Sequence, residues 1–208
     1  CGAGHLPEIG VGFTFDRCDS DLDSRKGLYL EYMLTHVGAG VGENHKGENY
    51  WEVLWDAKGY GTVGRFITGA TALFRYRPGV VAAYDYFYHG GANTFRGHEA
   101  DSLSLGVHEM LLTLEERYVL LERRSAIGFG INFFYGLQLV AGLDGSVLWD
   151  EGNPHWDDFE GAVYGGVHLI IPALDRVRLE VGYSPDRGEP VFHFGLFDKT
   201  ISSRWRSR

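Results

Sequence analysis

The chain of 208 residues carries a formal net charge of −9, with thirty glycines and thirty aromatic side chains. That acidity excludes a nucleic-acid surface, because nothing in it would release phosphate counterions. The joint load of glycine and aromatics suits a β protein with many turns, and no run approaches the ~18 apolar residues of a membrane helix, so only a closed barrel could cross a bilayer.

The length suits one domain spanning 1–208, with 1–7 as an N-terminal segment and 198–208 as a basic tail. The opening Cys1-Gly2 pair is what remains after cleavage of a lipoprotein signal, so Cys1 is a candidate for lipidation; Cys18, the only other cysteine, is its candidate disulfide partner in an oxidising compartment. From Glu8 to Asp16, Ile9, Val11, Phe13 and Phe15 alternate with Gly10, Gly12, Thr14 and Asp16, a period-two strand. A polar turn ends at Gly27, and Leu28–Thr35 alternates again. After a glycine-rich connection come Trp51–Tyr60, with Trp51, Val53 and Trp55 against Glu52, Leu54 and Asp56, and then Ala70–Arg77, stopped by Pro78-Gly79.

Residues 79–106 read as one long loop, built on Tyr84–Gly97 (YDYFYHGGANTFRG). Its parts are an aromatic approach that includes Phe87, the pair Gly90 and Gly91, and Phe95-Arg96-Gly97. Alternation resumes over Val107–Leu121, where Glu116 alone breaks the apolar face near the strand's end. Phe133–Trp149 gives the cleanest strand, and Ala162–Ile171, Val177–Tyr183 and Val191–Phe197 follow. The alternation rule therefore predicts about nine strands and no helix.

One face of nearly every strand is apolar, and the other carries charges such as Glu31, Asp56, Arg75, Glu115, Arg117, Asp144, Arg178 and Glu180. A soluble β-sandwich alternates in the same way, with its charged face in water, so periodicity does not separate the two folds. Three features favour a transmembrane barrel. Several strands reach the ~9–11 residues that cross a bilayer at a tilt, Tyr and Trp gather near strand ends, and glycine is abundant within strands.

The segment FYHGGANTFRGH resembles the sixth extracellular loop of the BamA/TamA-like outer-membrane assembly superfamily, the bacterial surface antigen barrels. In that family an aromatic stretch, a Gly pair and a Val/Ile-Arg-Gly-Phe/Tyr tetrad fold back into the barrel. Here the tetrad is Phe95-Arg96-Gly97-His98, matching at Arg and Gly. LTLEERYVL resembles the family's Glu-x-Arg strand through Glu115 and Arg117, and GLDGS resembles its Asp motif through Gly142 and Asp144. GVGFTFDRCDSDLDSRKGLYLE is similar to the family's strand, Asp-rich turn and glycine, and RLEVGYSP and VFHFGLF to its last two strands. The blocks cover essentially the whole chain, which corresponds to the C-terminal nine or so strands of a family barrel that normally has sixteen.

The resemblance implies an all-β, antiparallel transmembrane β-barrel, integral to the bacterial outer membrane, with about 8–10 strands in this chain and a long inward-folded loop. It implies that Arg96 enters the lumen and pairs with Asp144 and Glu115, with Gly97 beside it and Phe87, Gly90, Gly91, Arg117 and Gly142 supporting the loop. A guanidinium suits that role because its two parallel N–H bonds match a carboxylate. The implied activity is insertion or translocation of polypeptides, with the lipid bilayer and other outer-membrane proteins, or a second chain completing the wall, as partners.

Two alternatives stand beside it: a structural or complex-forming barrel without translocase activity, and a soluble β-sandwich binding module. No Gly-x-Ser-x-Gly, Walker loop or carboxylate pair points to an enzyme, and no cofactor is expected. His155, Trp156, Asp157 and Asp158 lack paired ligand spacing and read as a solvated loop rather than a metal site, and His168 and His193 read as wall-lining residues.

Overall fold

The computed structural model describes residues 7–20, 23–38, 49–99, 104–128, 131–171 and 175–196. Cys1 and the tail 198–208 lie outside the described residues, and the lipidation and disulfide expectations with them. The strands are β1 (Glu8–Asp16), β2 (Gly27–Val37), β3 (Asn49–Val63), β4 (Phe66–Tyr76), β5 (Gly79–Val80), β6 (Phe87–Tyr88), β7 (Leu105–Gly106), β8 (His108–Gly128), β9 (Ile131–Trp149), β10 (Phe159–Ile171), β11 (Asp175–Tyr183) and β12 (Pro190–Gly195). Nine of them form one antiparallel sheet in the order β1-β2-β3-β4-β8-β9-β10-β11-β12, with β5 added on β3 and β6 pairing β7 inside the long loop. Among the described residues β1 and β12 do not pair, so the sheet has two free edges.

Burial decides what alternation left open. Leu114, Leu143, Val163 and Phe192 are 50, 53, 52 and 67 % exposed, whereas Glu109, Arg117, His168 and Glu180, on the opposite faces of these and neighbouring strands, are fully buried. A soluble sandwich would bury the apolar face and wet the charged one; the inverted pattern is that of a wall with lipid outside and a polar interior. On the outer face of β8, Phe66 and Tyr118 pack at 5.0 Å between ring centroids at one end, and at the other Tyr76 stacks on His108, which meets Trp149 at a tilt. Tyr118 and His108 are ten residues apart along β8. At ~3.3 Å per residue and a tilt of ~40° that spacing gives an apolar band ~25 Å tall.

Several strands run a few residues past the sequence expectation, and two ends depart furthest. β4 begins at Phe66 rather than Ala70, because Val63 pairs Phe66 across the two-residue turn Gly64-Arg65, with Gly64 at φ 62°. β8 runs to Gly128 rather than Leu121, pairing β9 through register shifts between Val119, Leu121 and Arg124. β4 pairs β8 only as far as Tyr118. Beyond that point the β8–β9 hairpin stands clear of β4, and its charges Glu122, Arg123 and Arg124 interrupt the apolar alternation without interrupting the ladder.

The core lies on the inner face. Leu54, Leu73, Leu111 and Ala162 form an apolar patch among the charges, and Phe95 from the long loop is wholly buried against it, with Met33 alongside. Leu54 shares its face with Glu52 and Asp56, so a lone apolar residue on a polar face marks the seat of a loop ring.

Candidate functional site

Loop 79–106 returns over the inner face and is fixed at several points along its length. At its entry the ring of Phe87 lies between two guanidinium groups, with Arg75 Cζ at 3.8 Å and Arg77 Cζ at 3.7 Å from its centroid. This cation–π clamp is set in a dry site because Phe87 and Arg77 are buried. Arg75 is itself ion-paired with Glu109. His89 follows, its Nδ1 2.7 Å from Ser146 Oγ and its Nε2 3.0 Å from Glu109 Oε2. Gly90 and Gly91 have φ 148° and 95°, values that L side chains rarely adopt, and they turn the chain so that Gly91 N–H donates to the His98 carbonyl at 2.9 Å. Thr94 Oγ1 closes the turn on Gly90.

Arg96 is the deepest fixture. Its Nη1 donates to Asp144 Oδ1 and Oδ2 at 2.8 and 3.0 Å, its backbone N–H donates to Asp144 Oδ2 at 3.1 Å, and its Nε donates to Glu180 Oε2 at 2.9 Å. Arg96 Cζ lies over the Tyr164 ring, 3.8 Å from its centroid. Each partner is held from behind: Thr113 Oγ1 donates to Asp144 Oδ1 at 2.8 Å, and His168 Nε2 sits 2.7 Å from Glu180 Oε1. The Arg96 carbonyl receives His193 Nε2 at 2.8 Å. Three strands, β9, β11 and β12, therefore share hydrogen bonds with one loop residue, and β10 contributes the ring against it.

The glycines around Arg96 are explained by close approach. A Cβ on Gly182 would overlap the Arg96 carbonyl, and one on Gly97 would lie 2.8 Å from Ser184 Cβ and against the Phe95 ring. Gly142 faces Tyr164 across the β9–β10 pair, and a Cβ there would occupy the place of the phenol ring stacked on Arg96. His98 holds the tetrad position that is aromatic in the family, and it keeps an aromatic role, edge-on to Phe95 at 5.1 Å with Nε2 3.4 Å from Glu160.

The structure brings Arg96, Gly97, Asp144 and Gly142 together as the sequence blocks imply, but it distributes Glu115 and Arg117 differently. Glu115 Oε2 is 3.8 Å from Arg96 Nη2, an ion pair without a hydrogen bond, and it accepts instead from Tyr164 Oη at 3.0 Å. Arg117 reaches away from the long loop, to Asp23 Oδ1 at 2.7 Å and the Ser24 carbonyl at 2.6 Å in the β1–β2 turn. Asp23 is buried there and also receives the Gln138 amide at 3.1 and 3.2 Å and Arg123 at 3.0 Å. Burial alone would raise the Asp23 carboxyl, but Arg117, the Gln138 amide, Arg176 and Arg123 outweigh it and hold the acid below its ordinary range. A second segment is thus tied to the inner wall from the end opposite the long loop.

Sequence reasoning did not single out Glu180, His168, Tyr164, His193, Gly182 or Asp23 for these contacts. The first five were present as inward-facing polar or small residues on late strands, without the register that joins them, and Asp23 stood in the Asp-rich turn between β1 and β2. Among the described residues, Glu115, His168 and Glu180 form the one group whose ligand-type atoms lie within 4.8 Å of one another. Arg96 occupies the free side of Glu180, and Arg117 lies 3.2 Å from Glu115, so the carboxylates are already neutralised by guanidinium groups and the group reads as an ion-pair network. His155 to Asp158 form an exposed 3-10 turn in the β9–β10 loop, away from that network.

An antiparallel sheet with an apolar outer face, aromatic ends and a charged interior that grips an inward loop has the character of a transmembrane β-barrel wall. The family comparison agrees: the Omp85 superfamily domain matches residues 2–196, and the chain belongs to that superfamily. Its members are β-barrels of the bacterial outer membrane concerned with protein insertion and translocation, working with other proteins there. No curated protein matches the chain.

Proposed function

We propose that this protein acts as a BamA-type outer-membrane barrel in the insertion or translocation of polypeptides, without enzymatic chemistry or a cofactor, and that the Arg96 contact sets the position of loop 79–106 during that work. The observation that carries the reading is the convergence of β9, β11 and β12 on Arg96 in a chain of this superfamily. Arg96 between two carboxylates is the deepest of the loop's several fixtures on the inner face, all of them side-chain contacts, so the loop can be released without disturbing the ladders of the wall. The test is a reconstituted translocation or insertion assay with Arg96→Ala and Arg96→Lys. Altered client handling with the wall still folded supports the proposal; unchanged handling by a released loop refutes it.

A second reading, a structural barrel completed by other strands and lacking translocase activity, is favoured by the free edges of β1 and β12. Nine strands alternating in direction leave β1 and β12 running the same way. Antiparallel closure therefore takes an odd number of further strands between them, from the same polypeptide or a second chain. Cysteines placed on the two edges, combined with single-channel recording, separate the readings: a conducting monomer favours the first, an obligate oligomer without conductance the second.

A further inference from the structure

The outer face carries a carboxylate, Glu116, that the wall uses through one of its two oxygens. Glu116 lies on the lipid-facing side of β8, in the row Gly61, Thr68, Glu116, Ala141, Gly165 that crosses five strands. Thr68 Oγ1 donates to Glu116 Oε2 at 2.6 Å, and Oε1 has no partner among the described residues. Two residues further along β8 comes Tyr118, packed on Phe66. Glu116 therefore sits one pleat inside the aromatic ring at the rim opposite the long loop, ~5 Å deep at the strand tilt of a barrel. At that depth a carboxylate is tolerated and still within reach of a lipid headgroup.

Immediately above it, toward the middle of the apolar band, the wall is recessed. A groove of about 560 Å³ runs over Leu28, Gly59, Ala70, Ala72, Leu112 and Leu114. On β3 two glycines leave the surface open: a Cβ on Gly59, which lines the groove, or on Gly61, in the row of Glu116, would meet nothing within 4 Å. The groove's volume falls within the ~300–1,000 Å³ of small-molecule sites. Arg65, exposed in the β3–β4 turn, adds a cation at the same rim, where its carbonyl accepts from Val119 N–H.

We infer that this face is a binding site for an aminophospholipid of the leaflet at that rim. One acyl chain lies in the groove, the primary ammonium donates to Glu116 Oε1, and the phosphate is within reach of Arg65. A primary ammonium is preferred to the hydroxyls of a phosphoglycerol headgroup, because the Glu116 carboxylate gains a charge-assisted hydrogen bond from the cation and only a weaker one from a neutral hydroxyl. The inference rests on the reading of the chain as a membrane barrel, and the experiment distinguishes the two.

The protein is extracted from membranes and reconstituted in nanodiscs of phosphatidylethanolamine and phosphatidylglycerol with matched acyl chains, and retained lipid is counted by native mass spectrometry after release. Wild type is expected to keep phosphatidylethanolamine over phosphatidylglycerol by roughly fivefold, the preference of one charge contact near the membrane surface. Glu116→Gln should lose that preference while the heat-resistant fold persists. Ala70→Phe, which fills the groove, should lower retention of both lipids alike. Equal retention of the two lipids by wild type, or a preference that survives Glu116→Gln, overturns the site. Co-purification of a protein that Glu116→Gln releases also overturns it, because the face would then belong to a protein partner. A chain that retains no lipid and shows no heat-resistant fold in detergent refutes the barrel reading instead.

Discussion

Removing the Arg96 side chain is the most informative perturbation of this protein. Arg96→Ala deletes the two hydrogen bonds to Asp144 and the one to Glu180, and it leaves both carboxylates buried, Asp144 at 4 % and Glu180 at 0 % exposure. Breaking a buried ion pair from one side costs ~3–5 kcal/mol. The lower end applies here, because Asp144 keeps the Thr113 hydroxyl and Glu180 keeps His168. About 3 kcal/mol shifts the ratio of docked to released loop by roughly a hundredfold. The assay is urea unfolding followed by tryptophan fluorescence, with loop release read by protease cleavage within 79–106. Asp144→Ala should cost nearly as much, and the double variant little more than either single one, because each change destroys the same contact. Arg96→Lys should recover only part of the loss, since one ammonium does not span Asp144 and Glu180 as the guanidinium fork does. Additivity of Arg96→Ala and Asp144→Ala to within ~0.5 kcal/mol would refute the reasoning.

The same picture makes three shorter predictions. Gly182→Ala should release the loop as Arg96→Ala does, because its Cβ overlaps the Arg96 carbonyl, whereas Gly59→Ala should be silent in the same protease assay. Phe95→Ala should destabilise by ~3–5 kcal/mol in urea, since the ring is wholly buried on the Leu54, Leu73 and Leu111 patch; a loss below ~1 kcal/mol would show that the patch does not seat the loop. The Asp23 tether should be acid-sensitive. Its carboxyl is held below the ordinary value of 3.8, so its stabilisation is present above that pH and is lost as pH falls through the folded value. Protease accessibility of the β1–β2 turn should therefore differ between wild type and Asp23→Asn at neutral pH and converge in acid. A difference that is the same at every pH counts against the tether.

The strands were legible residue by residue because a wall between lipid and a polar interior imposes period two on each strand independently of its neighbours. Glu8–Asp16 has the same bounds in the structure as in the alternation. The loop arginine and Asp144 were legible for a different reason: FRG and GLDGS stand in an order and spacing that a family pattern records. Glu180 carried no such label. It became a partner of Arg96 because β11 stands two strands from β9 in the sheet and both side chains face inward, a relation set by register across the ladder rather than by local sequence. Arg117 shows the converse, since a Glu-x-Arg spacing puts Glu115 and Arg117 on one face but does not say which turn the guanidinium meets.

What the sequence by itself determined is the alternation, and with it the division of the chain into two faces, the loop between β4 and β8, and the arginine at its heart. Tertiary structure alone decided which face meets lipid, since an apolar face can as well be buried. It also chose the carboxylates that close on Arg96 and placed Asp23 against Arg117. The physical reason is that burial and ion pairing are properties of surfaces assembled from several strands, whereas periodicity is a property of one.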